Sequence, residues 1–275
     1  MRFSVSAALL ASVVASSASA QFYEWLSPID GDFDDPTMWS LGVVPNNSGA
    51  DVVLGHLGSY VVTHSTTNLV GDINIPNGDA TLLIHGGHMD LAGELLNEGT
   101  LRIESGTLDI VLDRRFDGTG RVELGAVSDP MSALIDALGA TLTNGPGHTI
   151  AGSGRIQGTF HNDGIVVADD IGGPGLELDN TITQGANGRM GANGGVLLLQ
   201  DDVSITGGEF FTANGGAIRV DGPYVLNGIE ATISNVTNNG RIEVVDSYKR
   251  LLIDGSIFNN GEIVLNENLD ANEPE

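Results

Sequence analysis

A short pattern recurs along this 275-residue chain and limits what it can fold into. Asn97-Glu98-Gly99-Thr100-Leu101 returns as Asn162-Asp163-Gly164-Ile165-Val166, as Asn238-Asn239-Gly240-Arg241-Ile242 and as Asn259-Asn260-Gly261-Glu262-Ile263. The starts lie 65, 76 and 21 residues apart, the first two gaps being roughly three and three and a half times the last. Weaker copies without the leading Asn, Gly195-Val196-Leu197 and Gly216-Ala217-Ile218, are also 21 apart. Other β-rich runs bounded by turn residues, such as Tyr60-Val61-Val62-Thr63 and Thr81-Leu82-Leu83-Ile84, read as strands. Short strands at a period near 20 residues mark a solenoid, because a single coil cannot bury its inward row and must stack on the next. The expected fold is all-β, a right-handed parallel β-helix (β-solenoid) of about 20 residues per coil with an N-terminal cap.

Within each coil, inward residues alternate with outward ones, so Ile242 and Val244 point in while Arg241 and Glu243 point out. The glycines of the pattern, Gly99, Gly164, Gly240 and Gly261, are expected to supply left-handed turn dihedrals. The asparagines Asn97, Asn162, Asn238 and Asn259 either stack as a buried amide ladder between coils or cap turns at the surface. Competing architectures fit less well: a propeller blade needs about 40 residues, and a sandwich lacks a repeating Asn-x-Gly corner. Asp129-Pro130 through Gly139 has the outline of a capped helix. Ala133-Leu134-Ile135 is read instead as a strand within the solenoid frame.

The ends differ from the middle. Residues 1–20 read as a signal peptide: Met1-Arg2, an apolar run from Val5 to Val14, then Ala18-Ser19-Ala20 before the cut at Gln21. Export follows as an expectation, to the extracellular space, the cell surface or the periplasm. Residues 21–50 hold both tryptophans, Trp25 and Trp39, together with Pro45, and read as the cap that closes the first coil. Residues 51–265 form the β-helix, and the acidic stretch 266–275 is expected to be disordered. No later stretch has the length and apolarity of a membrane span.

Composition narrows the function classes. The formal net charge is −25, or −26 without the leader, with only Lys249 and ten arginines as cations. Nucleic acid and anionic membranes are poor partners for such a surface, since cations must displace phosphate counterions. The absence of cysteine excludes disulfides, zinc thiolates and cysteine nucleophiles. The abundance of Asp fits a salty or calcium-containing exterior, and a merely well-solvated surface is the preferred account of it over specific calcium sites.

Two stretches carry a resemblance. Trp25 … Gly31-Asp32-Phe33-Asp34-Asp35-Pro36-Thr37-Met38-Trp39-Ser40-Leu41-Gly42-Val43-Val44-Pro45 … Asp51-Val52-Val53-Leu54 resembles the opening of many exported bacterial β-helix proteins. His148-Thr149-Ile150-Ala151-Gly152-Ser153-Gly154-Arg155-Ile156 … Phe160-His161-Asn162-Asp163-Gly164 is similar to their repeat. The group comprises autotransporter-passenger-like proteins and surface proteins bearing a PEP-CTERM or dockerin segment. The resemblance implies a β-helix, surface export and contact with glycans or matrix. This sequence shows no apolar sorting helix and no dockerin-like loop after the repeats, which departs from that pattern.

Chemistry is sparse. The paired carboxylates Asp169-Asp170 and Asp201-Asp202 are the candidates for catalysis. A glycosidase, however, needs two carboxylates across a groove, and adjacent residues of a strand point to opposite faces. Arg114-Arg115 beside Asp113 and Asp117 is the one basic cluster mid-chain, a candidate for a calcium-assisted lyase. His85-Gly86-Gly87-His88 is the only close histidine pair and lacks an evident third ligand, so no metal site is expected. Tyr60, Tyr224, Tyr248, Phe210 and Phe211 are the aromatics available to stack on sugars. The reading preferred from sequence is a non-catalytic structural or adhesive solenoid. A polysaccharide lyase, a glycoside hydrolase or a carbohydrate-binding module on the same scaffold is the alternative.

Overall fold

The computed structural model describes residues 20–126, 128–179, 181–220, 229–245 and 249–265. The expected leader (apart from Ala20), the acidic tail 266–275, Tyr224 and Tyr248 lie outside the described residues. The chain is an all-β solenoid of parallel coils about 21 residues apart, and no α-helix occurs among the described residues.

Each coil contributes to three sheet faces. The first face stacks Ala50–Val53, Ile73–Ile75, Leu95–Asn97 and Arg114–Asp117 in parallel register. It continues through the ends of Ala133–Asn144 and Thr149–Asn162 to Thr181–Gln184 and Ser204–Thr206. The second face runs from Tyr60–His64 through the start of Ala80–Leu91 and of Thr100–Ile110 to Arg121–Gly125, the start of Thr149–Asn162, Ile165–Ala168, Arg189–Asn193 and Glu209–Ala213. The third face includes Thr67–Val70, Leu176–Asp179, Val196–Leu199, Ala217–Val220, Arg241–Val244 and Glu262–Leu265.

Burial follows the strand alternation. On the second face Val62, Leu82, Leu101, Val122, Ile150, Val166, Met190 and Phe210 form one continuous inward row, each residue paired with the next. All eight are fully buried. Stacked identical pleats bring every inward side chain over its neighbour at about 4.8 Å, so the core is a column of rows and not a central cluster.

Ala133–Asn144 is a strand, as read from sequence, preceded by a single 3-10 turn at Pro130–Ser132. Ser132 N–H and Oγ both donate back to the Asp129 carbonyl, at 2.9 and 2.8 Å, and the strand pairs with Thr100–Ile110 below and Thr149–Asn162 above.

The pattern glycines behave differently from the expectation. Gly99, Gly164, Gly240 and Gly261 are not left-handed; the left-handed glycines lie elsewhere. Close approach demands them instead. A Cβ on Gly99 would sit 2.5 Å from the Asn77 carbonyl oxygen, one on Gly164 2.4 Å from that of His148, and one on Gly261 2.0 Å from that of Gly240. The corner is tight because the backbone of one coil rests on the backbone of the last. Gly87 combines both demands: φ is +85° and a Cβ would lie 1.9 Å from the Thr66 carbonyl oxygen. Gly87→Ala is expected to destabilise the fold by about 3 kcal/mol or more, read as a lowered urea midpoint at unchanged slope.

The cap is an aromatic plug. Trp25, Phe33 and Trp39 are fully buried. Trp39 meets both Trp25 and Phe33 edge-on at 5.0 Å. The indole N–H groups of Trp25 and Trp39 donate to the Ile29 and Phe33 carbonyls at 3.1 and 2.6 Å, so neither indole donor is left unpaired. Phe33 packs edge-on against the His64 ring of the first full coil. Pro45 is buried, and its carbonyl accepts from Asn68 Nδ2 at 3.1 Å. The cap also starts the sheet, since Gln21–Glu24 pairs in parallel register with Ala50–Val53.

Candidate functional site

The polar interior is concentrated at the corner between the first and second faces. Ile73, Leu95 and Phe116 occupy one inward row of the first face, and Asn144, Asn162 and Gln184 continue it. The row thus changes from hydrocarbon to amide along the axis. Asn144 Nδ2 donates to Asn162 Oδ1 at 2.9 Å, Asn162 Nδ2 to Gln184 Oε1 at 3.1 Å, and Gln184 Nε2 to the Gly207 carbonyl at 3.1 Å. His148 extends the line backward: its Nδ1 lies 2.7 Å from Asn144 Oδ1 and its Nε2 3.4 Å from Asn97 Nδ2. Asn97, Asn144, His148 and Asn162 are fully buried.

The pattern asparagine therefore closes a corner and ties two coils. Asn97 Oδ1 accepts from Gly99 N–H, and Asn238 Oδ1 accepts from Gly240 N–H, both at 3.0 Å. Their amide nitrogens reach up to the next coil, Asn97 to the Arg121 carbonyl and Asn238 to Asn259 Oδ1. Of the four expected ladder members, Asn97 and Asn162 stand at the first corner, leading into the second face. Asn238 and Asn259 stand at the following corner, leading into the third. That shift of one corner explains the non-integral spacing of 76 residues. Asn144, His148 and Gln184 were missed because none sits in the full Asn-x-Gly pattern with a strand directly after it.

Two of the candidate aspartates, Asp169 and Asp201, are structural links. Asp169 receives a bidentate grip from Arg121 Nη2, 2.9 Å to each oxygen. Asp201 Oδ1 accepts the Glu230 backbone N–H of the next coil at 3.1 Å, and Asp202 sits at a left-handed φ of 63° in the same turn. The two pairs occupy different corners, after Ile165–Ala168 on the second face and after Val196–Leu199 on the third, so they do not converge. Asp169 and Asp170 line an open concavity of about 490 Å³ with Arg102, Arg121, Glu123 and Ile171.

A second group was only half visible in the sequence. His88, with Nδ1 3.1 Å from Asp109 Oδ2, lies on the outer side of the third face. Asp109 stacks directly between Asp90 and Asp136 of adjacent coils. Burial raises the Asp109 carboxyl above the ordinary range; His88 opposes this, and the Asp90 charge adds to it. The missed signal is the spacing of Asp90 and Asp109, one coil apart at the same pleat position. His85 turns away and pairs with Glu104 at 3.1 Å, so the two histidines do not converge. Among the described residues no group of three His, Asp or Glu is placed to hold a metal ion.

Arginines act as rungs. Arg189 meets Glu209 and Arg219 meets Glu243 on the paired strand of the next coil, while Arg115 Nε grips Asp117 and Arg241 reaches Glu243 within one strand. Acidic side chains also serve the backbone: Asp51 accepts from Asp72 N–H at 3.0 Å and Asp72 from Glu94 N–H at 2.8 Å, coil after coil. Tyr60 and Phe210 are buried and unavailable to a sugar, contrary to the expectation from sequence, because both fall on inward pleat positions. Phe211 lies beneath the Arg189 guanidinium at 4.9 Å. No helix among the described residues is long and apolar enough to cross a membrane. No protein-family model matches the chain, and neither a curated protein nor a solved structure matches it.

Proposed function

We propose that the protein is an exported structural or adhesive solenoid, a stiff acidic rod that makes multivalent contact with glycans or matrix. The observation that supports this is the direction of its polar bonding. Asp51, Asp72 and Asp201 bond the backbone of the next coil, Arg189 and Arg219 pair with carboxylates there, Asn144 bonds Asn162, and Arg121 reaches across two coils to Asp169. Side chains committed along the axis resist bending and shear between coils. The leader-like residues 1–20 supply the argument for export.

One observation favours a polysaccharide-active enzyme as the second reading. Asp90 and Asp109 are in register on neighbouring coils with His88 beside them. Strand spacing sets such carboxylates roughly 5 Å apart, near the separation used by retaining glycosidases. The deciding experiment incubates residues 21–275 with neutral and acidic polysaccharides, with and without calcium, and reads new reducing ends and unsaturated products. A solid-phase assay on the same polymers reads binding. Binding without products is the expected result. Products lost in Asp109→Asn would replace the structural reading with the enzymatic one.

A further inference from the structure

We propose that His148 is an acid-sensitive latch in the amide line, and that its protonation opens the corner between the first and second faces midway along the rod. The argument starts with hydrogen-bond direction. Asn97 Oδ1 is occupied by the Gly99 N–H, so Asn97 presents its amide nitrogen to both the Arg121 carbonyl and His148 Nε2. An amide nitrogen only donates, so Nε2 must be the accepting nitrogen of a neutral ring. Nδ1 then carries the hydrogen and donates to Asn144 Oδ1 at 2.7 Å. Asn144 in turn donates to Asn162, Asn162 to Gln184, and Gln184 to the Gly207 carbonyl. Every donor points the same way along the axis, from Asn97 toward Gly207. A proton added at Nε2 sets N–H against N–H at the first link, and among the described residues Asn97 Nδ2 is the one hydrogen-bond partner of that nitrogen.

The surroundings give the charge no shelter. The ring is fully buried and meets Phe116 edge-on at 5.8 Å. The charged groups that act on it are Asp117 on Arg114–Asp117 and Glu98 at the Asn97 corner. Both favour the proton, yet Asp117 is already held by Arg115, and Glu98 accepts from Thr119 N–H at 3.2 Å. Arg121 contributes its carbonyl to Asn97 while its guanidinium is bound to Asp169. Burial outweighs the two carboxylates and holds His148 down to about 4. The unfolded chain takes up the same proton at about 6.5. His148 therefore leaves stability intact above about pH 6.5 and lowers the folding constant by up to roughly 300-fold between 6.5 and 4, with no further loss below. Because the ring touches one corner, that loss is expected first as local opening.

The test measures native-state hydrogen exchange of the full chain, corrected for intrinsic rates, together with the NMR titration of the His148 ring. Backbone amides at 97–99 and 144–149 are expected to gain more than tenfold in opening between pH 5.5 and 3.5, with the midpoint of the ring titration. His148→Gln can accept from Asn97 and donate to Asn144 without titrating, so its opening at this corner should stay flat over that range. Equal acid opening in wild type and His148→Gln would overturn the proposal and assign the effect to the carboxylates. Should the variant fold poorly, the wild-type midpoints decide: a ring that titrates above pH 6, or opening whose midpoint departs from the ring's by more than one pH unit, refutes the latch.

Discussion

Trp39→Ala is expected to lower stability by about 3–5 kcal/mol, the range for deleting a large buried aromatic. Trp39 joins Trp25 to Phe33, and its indole N–H satisfies the Phe33 carbonyl. Without it the plug has a hole and an unpaired acceptor at once. The effect should not be local. Phe33 leans on His64, and behind them Val62 and Val52 stand in inward rows that run from coil to coil. Opening the cap exposes the first coil as an unpaired edge, the arrangement that invites strand addition and aggregation. Chemical denaturation followed by tryptophan fluorescence, with light scattering of the folded state, checks both parts. A change below 1 kcal/mol with no added scattering would mean that the cap is ornamental.

Asn144→Ala is expected to cost a similar amount, about 3–5 kcal/mol, although far less volume is removed. Asn144 is the one residue that both accepts from His148 and donates to Asn162. Alanine leaves the Nδ1–H of His148 and the Oδ1 of Asn162 unpaired in a site that excludes water, and each such group costs about 1–3 kcal/mol. The cavity adds to this. Asn260→Ala, on an exposed corner where Asn260 donates to Asn239 at 3.0 Å, should cost under 1 kcal/mol. Urea midpoints of the two variants measured side by side separate a buried ladder from a surface turn cap. Equal midpoints would remove the interior line from the account of stability.

The two variants divide the molecule by what can be read where. Trp39 announces itself, because two tryptophans in a chain with 5% aromatics fall within fifteen residues ahead of the first repeat. Asn144 does not. Its row is set by pairing with Phe116 on one side and Asn162 on the other, at spacings wider and narrower than the mean of about 21. Corner segments differ in length from coil to coil, the strands Arg121–Gly125 and Ala133–Asn144 being set apart by more residues than Leu95–Asn97 and Thr100–Ile110, while the inward rows tolerate no slip. A period read from sequence averages over those corners and loses the register of any one coil. Asp90 and Asp109 are not legible as neighbours for the same reason, nor are Tyr60 and Phe210 as inward residues.

The class of fold, the coil period and the aromatic plug are legible in the residues themselves, because alternation and tight corners are local demands of a stacked backbone. Tertiary structure alone decided which side chains meet. It moved the Asn-x-Gly pattern from one corner to the next between Asn162 and Asn238, made close backbone contact the reason for its glycines, and recruited His148 and Gln184 into the amide line. Contacts between coils join residues about 21 positions apart whose spacing varies, and only the stacked register brings them within hydrogen-bonding reach.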